Sequence, residues 1–233
     1  MIKIIDSKKM GKSDRGWLHS IFHFSFAEYY NPNNMNFGPL RVINDDIFDA
    51  QNGFATHPHE NMEIISYVVD GVLTHKDSMG NKRELTRGQV QYMSAGTGVT
   101  HSEYNLTDNQ LRFLQIWIMP DKNGYNPNYG DYQFDWKDRV GKWLHLVSNK
   151  EGSAPVQIHQ DMNLYVVELD KGETIEYNLA KGRQAYLVQI EGTGKVNGLH
   201  MNEKDGAEIV DEEKIEIKTD TKAHYILFDM KAE

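Results

Sequence analysis

The amino-acid sequence predicts an all-β protein built from sandwich or barrel domains. Three observations predict this class. Short apolar runs recur along the 233 residues, Gly, Asn and Asp separate the runs, and no amphipathic helix of more than about three turns can be found. Short strands joined by frequent turns are typical of a β-sandwich or a β-barrel.

The predicted strands follow one another along the chain. In the first, Phe22, Phe24 and Phe26 alternate with more polar residues, which is the period-2 pattern of a half-buried strand. The later strands are predicted from apolar runs at 62–69, 90–93, 111–119, 186–190 and 224–230. Turn-forming dipeptides punctuate these runs at Asp70-Gly71, Gly80-Asn81, Glu191-Gly192 and Asn197-Gly198.

A domain boundary is predicted in the middle of the chain. Residues 120–140 are rich in turn formers and poor in aliphatic side chains. We place the division after residue 125, which gives an N-terminal domain of residues 1–125 and a C-terminal domain of residues 126–233. The two halves also share a loose order of dipeptides and one histidine, which favours a duplicated barrel: Asp70-Gly71, Arg87-Gly88 and His101 against Glu191-Gly192, Asp205-Gly206 and His224.

Composition excludes several kinds of site. The chain has no cysteine, so thiol catalysis, zinc–thiolate sites and iron–sulfur clusters are excluded, and a metal must be bound by His, Asp or Glu. The net charge of −9 disfavours binding to nucleic-acid phosphates, which requires clustered Lys and Arg. No stretch approaches the roughly 18 apolar residues of a membrane span, and the N-terminal apolar run is too short for a signal peptide. We therefore expect a cytoplasmic protein with neither a membrane nor a nucleic-acid partner.

Two short clusters contain pairs of metal-binding residues. His57 and His59 stand two positions apart, as do His101 and Glu103. In an extended chain, residues i and i+2 point to the same side, so each pair presents two ligands on one face of a strand. Two such strands facing each other inside a barrel would bring four donors to one point.

These donors suit a divalent transition metal. Histidine with carboxylate is the ligand set of zinc hydrolases and of non-haem iron oxygenases. Three imidazoles and one carboxylate leave a position open for water, substrate or dioxygen. Pro58 restricts the backbone between the two histidines, and Gly96 and Gly98 permit a tight turn before the second pair.

The other histidines lack this pattern and are interpreted as structural or surface residues. We expect His75 to form a hydrogen bond within a hairpin, and His19 and His23 to pack near the N-terminal strand. No partner at ligand spacing accompanies His145, His159 or His200.

At these clusters the sequence resembles the cupin superfamily, and more closely the pirin family of bicupins. His57-x-His59-x-x-x-Glu63 fits the first cupin motif, although Gly71 lies one residue late. The second motif ends as Gly98-Val99-Thr100-His101 and continues to Asn105, with Gly96 in the place of the expected proline. The pirin-like segments are Arg15-Gly16-Trp17, His23-Phe24-Ser25-Phe26, Gly38-Pro39-Leu40-Arg41-Val42, residues 84–93 and Ser94-Ala95-Gly96-Thr97-Gly98.

The resemblance implies a fold, a metal and a ligand set. It implies a bicupin, in which two jelly-roll β-barrels share one chain. Many cupins bind metal through the glutamate at the position of Glu63, whereas pirins use the His-x-His and His-x-Glu pairs, which favours Glu103 here. The implied ligands are then His57, His59, His101 and Glu103. We expect Fe(II), although these ligands do not exclude Mn, Co, Ni, Cu or Zn.

The resemblance also implies an activity. Bacterial pirins are described as quercetin 2,3-dioxygenases, which open the flavonol ring with dioxygen and release carbon monoxide. The implied partners are a flavonol-like or related enolisable aromatic and O2, with Glu103 as the general base that removes the proton of the 3-hydroxyl. The alternative is a non-enzymatic metal-binding protein that senses redox state or binds a regulatory partner, as proposed for eukaryotic pirins.

The C-terminal half departs from the motif. Asn178 and Ala180 stand where the first half has His57 and His59, and Ile226 replaces the glutamate after His224. We therefore expect a second barrel without a ligand set.

Overall fold

The computed structural model describes residues 1–232, and nearly all of their regular structure is β-strand. The first twelve strands, in chain order, are β1 Ile2–Ile5, β2 Gly11–Asp14, β3 Leu18–Phe22, β4 Leu40–Phe48, β5 Asn52–His59, β6 Glu63–Asp70, β7 Val72–Asp77, β8 Lys82–Thr86, β9 Val90–Ser94, β10 Val99–Asn105, β11 Leu111–Ile118 and β12 Asn128–Tyr132. A single 3₁₀ turn within the described chain, Trp136–Arg139, precedes β13 Leu144–Asn149, β14 Val156–Ile158, β15 Met162–Leu169, β16 Thr174–Asn178, β17 Arg183–Glu191, β18 Gly194–Val196, β19 Leu199–Met201, β20 Gly206–Ile209, β21 Lys214–Thr219 and β22 Ala223–Lys231.

The strands form two compact units, each built from two β-sheets. The first barrel comprises residues Gly11–Phe134 and Ile158–Gln160, and the second comprises Met1–Met10, Asp135–Gln157 and 161–232. This confirms the predicted all-β bicupin.

The first barrel contains two sheets. A seven-stranded sheet has the order β12-β9-β6-β11-β4-β3-β2, and a four-stranded sheet has the order β5-β10-β7-β8. Phe48 and Phe113 from the larger sheet share one buried cluster with Leu73 and Leu85 from the smaller one, so the two sheets face each other across an apolar core. Burial of each such side chain contributes about 1.5–3 kcal/mol.

The second barrel repeats this arrangement. Its seven-stranded sheet has the order β1-β20-β17-β22-β15-β13-β14, and its four-stranded sheet has the order β16-β21-β18-β19. Leu187 and Leu227 from the larger sheet pack in one buried cluster with Ile215 and Ile217 from the smaller sheet.

Most of the predicted strands are present, but the aromatic alternation at residues 22–26 is not a continuous strand. β3 ends at Phe22, and the chain then bends. Phe26 forms an isolated bridge with Tyr29, and its ring packs against Phe22 at 5.6 Å and Trp117 at 5.4 Å between centroids. The alternation therefore reflects burial of aromatic side chains in an irregular segment.

The division between the units differs from the predicted ranges of 1–125 and 126–233. It falls after Phe134, because β12 pairs with β9 and so completes the larger sheet of the first barrel. The first ten residues group with the second barrel, because β1 pairs with β20. No helix in residues 1–232 is long and apolar enough to cross a membrane.

Candidate metal centre

The structure brings three of the four predicted ligands together. β5 and β10 pair antiparallel, with His57 opposite His101 and His59 opposite Val99. The three imidazole rings lie 4.6–4.9 Å apart between centroids. One nitrogen from each ring lies within 4.8 Å of the others, which is the spacing of groups that can share one metal ion. His59 and His57 therefore share a side of β5, as the i, i+2 spacing predicts.

A turn with two glycines at positive φ leads into β10. Gly96 has a φ of 46° and Gly98 a φ of 133°, which side chains with a Cβ rarely adopt. A Cβ on Gly96 would also lie 2.0 Å from the carbonyl oxygen of Tyr125. The expected tight approach before His101 is thus present, and it depends on glycine.

The carboxylate of Glu103 lies deeper than the three histidines. A register shift in β10 between His101 and Glu103 places Glu103 opposite Phe54. Its Oε1 accepts hydrogen bonds from Ser66 Oγ at 2.6 Å and Gln91 Nε2 at 2.8 Å, and its Oε2 accepts one from Gln115 Nε2 at 3.1 Å. Glu103 lies within reach of His101, but in a group completed by His75 and not by His57 and His59.

Glu63 occupies a different environment. Its fully buried carboxylate accepts hydrogen bonds from Tyr92 Oη at 2.9 Å and from the backbone amides of His159 and Gln160 at 2.8 and 3.1 Å. The Nδ1 atom of His159 lies 2.8 Å from the same carboxylate, and its ring stacks on Tyr125. In residues 1–232, Glu63 belongs to neither group of candidate ligands, and it instead holds the segment Ile158–Gln160 against β6.

Two histidines of the cluster are held as neutral donors by their surroundings. Burial, followed by repulsion from His57 and His75, lowers the pKa of His101 to about 3. Burial and repulsion from His101 and His57 lower the pKa of His59 to about 4. At neutral pH both imidazoles are therefore uncharged and keep a lone pair for a ligand bond.

Hydrogen bonding also orients the ring of His57. Its Nδ1 lies 2.7 Å from the carbonyl oxygen of Ala55, so Nδ1 carries the proton and Nε2 presents its lone pair. This Nε2 lies 3.1 Å from Nε2 of His101. Two ring nitrogens at that distance must share a proton or a cation, and Nδ1 of His101 has no hydrogen-bond partner in residues 1–232. The residues present therefore fit a bound metal ion.

Sequence reasoning missed the proximity of His75 to this centre. The predicted hydrogen bond is present, from His75 to Asp77 at 3.0 Å, but both side chains are fully buried. The ring of His75 stacks on Tyr129 and lies 5.5 Å from that of His101. Burial raises the pKa of Asp77, but hydrogen bonds from His75 and Asn81 outweigh it and hold that pKa below its usual value. Only the register, with β7 beside β10, brings His75 opposite Glu103.

An aromatic pocket opens beside the histidines. Its volume is about 470 Å³, and its lining includes Trp17, Phe26, Phe54, Gln115 and Trp117 together with His57 and His59. The Trp117 ring lies 4.9 Å from His59 and the Phe54 ring 6.1 Å from His57, both edge to face. In the sequence these aromatic residues are dispersed over a hundred positions, so no local motif connects them.

The remaining histidines of residues 1–232 belong to neither group of candidate metal ligands. His19 lies near Asp14 and His145 near Asn163, His200 is exposed, and His23 is buried. In the second barrel, His224 contacts Glu191 at 3.3 Å, and Ile226 is buried. Within residues 1–232, both groups of candidate metal ligands lie in the first barrel.

Comparison with known families gives two matches. The family model described as pirin matches residues 5–118, and the model described as the quercetinase C-terminal cupin domain matches residues 145–230.

Individual relatives match over nearly the whole chain. A pirin-like protein of Caulobacter vibrioides is 46% identical over 230 residues, covering 97% of this chain and 99% of the relative. A protein of Escherichia coli K12 described as quercetin 2,3-dioxygenase is 44% identical over 231 residues, covering 99% of each. The crystal structure of the bacterial pirin YhhW from Escherichia coli in complex with nickel(II) has a TM-score of 0.94 at 40% identity and covers 100% of both chains.

Proposed function

Because this chain belongs to the pirin family, we propose that it is a metal-dependent dioxygenase that cleaves a flavonol or a related enolisable aromatic with O2. In this reaction both oxygen atoms of O2 enter the product, and one ring carbon leaves as carbon monoxide. The proposed metal is Fe(II), and the nickel(II) complex of the related bacterial pirin supports a divalent ion as the cofactor.

The observation that carries the proposal is the junction of the histidine cluster with the aromatic pocket. His57 and His59 belong both to the group of convergent ring nitrogens and to the pocket wall. A cavity of about 470 Å³ lies within the range of small-molecule sites, roughly 300–1,000 Å³. The pocket thus has nitrogen ligands at one end, and its aromatic walls suit flat aromatic rings.

The proposed ligands are His57, His59, His101 and Glu103. When bound there, the metal would act as a Lewis acid towards the enol oxygen of the substrate and would support its reaction with O2. The pocket walls of Trp17, Phe54 and Trp117 would orient the flavonol rings and exclude water.

Glu103 is the proposed proton acceptor. Its carboxylate accepts three hydrogen bonds, two at Oε1 and one at Oε2, and carboxylates offer about four acceptor positions. Oε2 therefore keeps one free lone pair, so Glu103 would serve as a metal ligand before the substrate enters and as a proton acceptor once the substrate is bound. Gln115, which donates to Oε2, also lines the pocket. We infer that Oε2 takes the proton of the substrate hydroxyl, while Gln115, Gln91 and Ser66 hold the carboxylate in place.

The test is turnover of quercetin by protein loaded with metal under nitrogen and then exposed to air. Loss of the visible absorbance of quercetin should be accompanied by uptake of one O2 and release of one carbon monoxide per flavonol. No turnover with iron, manganese, cobalt, nickel or copper would contradict the enzymatic proposal and leave a non-enzymatic metal-binding protein.

Two carboxylate variants sharpen this experiment. Glu103→Gln should lower kcat by roughly 10²–10⁴-fold, the usual contribution of a general base. Glu63→Gln changes an equally buried carboxylate that lies outside the candidate ligand groups, so it should leave metal binding and turnover intact. Loss of turnover in Glu63→Gln with turnover retained in Glu103→Gln would make Glu63 the proton acceptor.

A further inference from the structure

A second, smaller cavity adjoins the aromatic pocket. Its volume is about 70 Å³, and its lining includes Ser20, Asn44 and Asp46. Phe26 and Phe54 line both this cavity and the aromatic pocket, so the two spaces meet at these side chains.

Two oxygen atoms in this lining have no hydrogen-bond partner in residues 1–232. They are Oδ1 of Asn44 and Oδ2 of Asp46, on side chains that are each only 1% exposed. The other carboxylate oxygen of Asp46 accepts a hydrogen bond from Ser20 Oγ at 2.5 Å. Leaving a buried acceptor unpaired costs free energy, so two of them in the lining of one cavity indicate a position at which a ligand group supplies the partner.

The strand register connects these oxygens to the proposed reaction centre. Asn44 and Asp46 are two positions apart on β4, so they share one face, and they lie opposite Gln115 and Phe113 on β11. Gln115 lines the aromatic pocket and donates a hydrogen bond to Glu103. The same face of the sheet therefore passes from the carboxylate of the reaction centre to the small cavity.

The chemistry of the cavity selects a neutral polar group. An anionic substituent would face the acceptor oxygens of Asn44 and Asp46, and a cation would face Arg15, which also lines the cavity. Burial, with smaller contributions from Asp45 and Glu103, raises the pKa of Asp46 to about 7 against the opposing hydrogen bond from Ser20. Near neutral pH Asp46 can therefore accept or donate a hydrogen bond, and a phenolic hydroxyl, which does both, matches it.

We propose that Asn44 and Asp46 form a specificity subsite for a phenolic hydroxyl on the substrate ring remote from its metal-binding oxygens. This inference rests on the proposed function, since it assumes that an aromatic substrate occupies the pocket. It narrows the substrate class to polyhydroxylated flavonols and related polyphenols, in preference to aromatics whose only hydroxyl is the enolic one.

The test measures binding without turnover. The metal-loaded protein is titrated under nitrogen with 3-hydroxyflavone, 3,7-dihydroxyflavone and 3,4′-dihydroxyflavone, and Kd is read from quenching of the fluorescence of Trp17 and Trp117 in the pocket wall. At least one dihydroxy compound should bind roughly 3- to 10-fold more tightly than 3-hydroxyflavone, the effect of one buried hydrogen bond. In Asn44→Leu and Asp46→Leu this preference should fall below twofold, with little change in Kd for 3-hydroxyflavone.

Control variants separate recognition from folding. Gln189→Leu removes a buried, unpartnered amide in the second barrel and should keep the preference. Asp46→Asn keeps the size and polarity of the side chain and should also keep it. If Asp46→Leu does not fold, the Kd values of Asn44→Leu test the subsite instead, because this variant leaves the hydrogen bond between Ser20 and Asp46 in place.

Each other outcome has a definite meaning. Equal Kd values for all three flavonols in the unmodified protein, or a preference that survives in Asn44→Leu, would overturn the subsite. Failure of all three to quench would overturn it as well. Hydroxyl-dependent binding without turnover of any flavonol would support the subsite and contradict the proposed dioxygenase activity. Failure of the subsite can therefore be distinguished from failure of the dioxygenase proposal.

Discussion

Asp46 is a carboxylic acid that the fold encloses completely. Its side chain is 1% exposed, and its pKa is raised to about 7 by burial and by the nearby acids Asp45 and Glu103. In the unfolded chain the same carboxyl group loses its proton near pH 4. Between these two pH values the folded protein therefore retains a proton that the unfolded chain has released.

This difference predicts how pH affects the stability of an Asp46→Asn variant. Where the folded state binds more protons than the unfolded state, stability falls as pH rises, so Asp46 stabilises the fold less and less from about pH 4 to pH 7. Asparagine does not titrate. The Tm of Asp46→Asn minus that of the unmodified protein should therefore be several degrees higher at pH 8 than at pH 5.

Thermal unfolding followed by circular dichroism at both pH values checks this prediction. Both proteins should be measured without added metal, since metal binding would add a pH dependence of its own. A difference in Tm that is the same at pH 5 and pH 8 would show that Asp46 is ionised normally in the folded protein.

At the residue scale, the sequence identified the ligand candidates but not their surroundings. His57, His59 and His101 are recognisable because the i, i+2 spacing and the cupin-like pattern are local. Asp46 and Gln115 carry no such signal, because their roles depend on which strands β4 and β11 pair with and on what those strands bury. Sequence patterns of a few residues do not contain that information.

The pairing of β5 with β10 is the element that assembles the candidate centre. Gly53 lies opposite Tyr104, next to the register shift between His101 and Glu103. A Cβ on Gly53 would lie 2.3 Å from the carbonyl oxygen of Glu103 and 2.5 Å from the Cα of Tyr104. Contacts this short with backbone atoms can be relieved only if the two strands move apart.

A Gly53→Ala variant should therefore weaken both the fold and the metal site. We expect a loss of about 1–3 kcal/mol in the free energy of unfolding, as for overpacked interiors, and a lower affinity for Fe(II), because His57 and His101 sit on the separated strands. Denaturant unfolding and metal titration measure the two effects.

Gly130→Ala is the matched control for this substitution. Gly130 lies in β12 of the same barrel, has no unusual φ, and a Cβ there would meet nothing within 4 Å. Its variant should resemble the unmodified protein in both measurements. Equal behaviour of the two alanine variants would show that the approach of β5 to β10 tolerates a side chain at Gly53.

At the element scale, the longer apolar runs located their strands well. The runs at 62–69, 111–119 and 224–230 correspond to β6, β11 and β22, because central strands buried on both faces contain nearly continuous apolar residues. The strands β5 and β16 were harder to predict, since none of their residues is buried. The strand expected at residues 22–26 was wrong because aromatic burial in a loop imitated alternation.

Two barrels of the same architecture differ in the groups that they enclose. The first barrel contains both groups of candidate ligands found in residues 1–232, whereas the second encloses an apolar cluster that includes Leu187, Ile217 and Leu227. The assignment of residues 1–10 to the second barrel could not be predicted, because it depends on the long-range pairing of β1 with β20.

We propose that one metal ion is bound by His57, His59, His101 and Glu103. The most direct measurement is the metal content of protein purified without an affinity tag, for the unmodified chain and for a His57→Ala, His101→Ala double variant. We expect close to one divalent ion per chain in the unmodified protein and almost none in the variant, which keeps only two of the four proposed ligands. A folded double variant that retains the full metal content would contradict it.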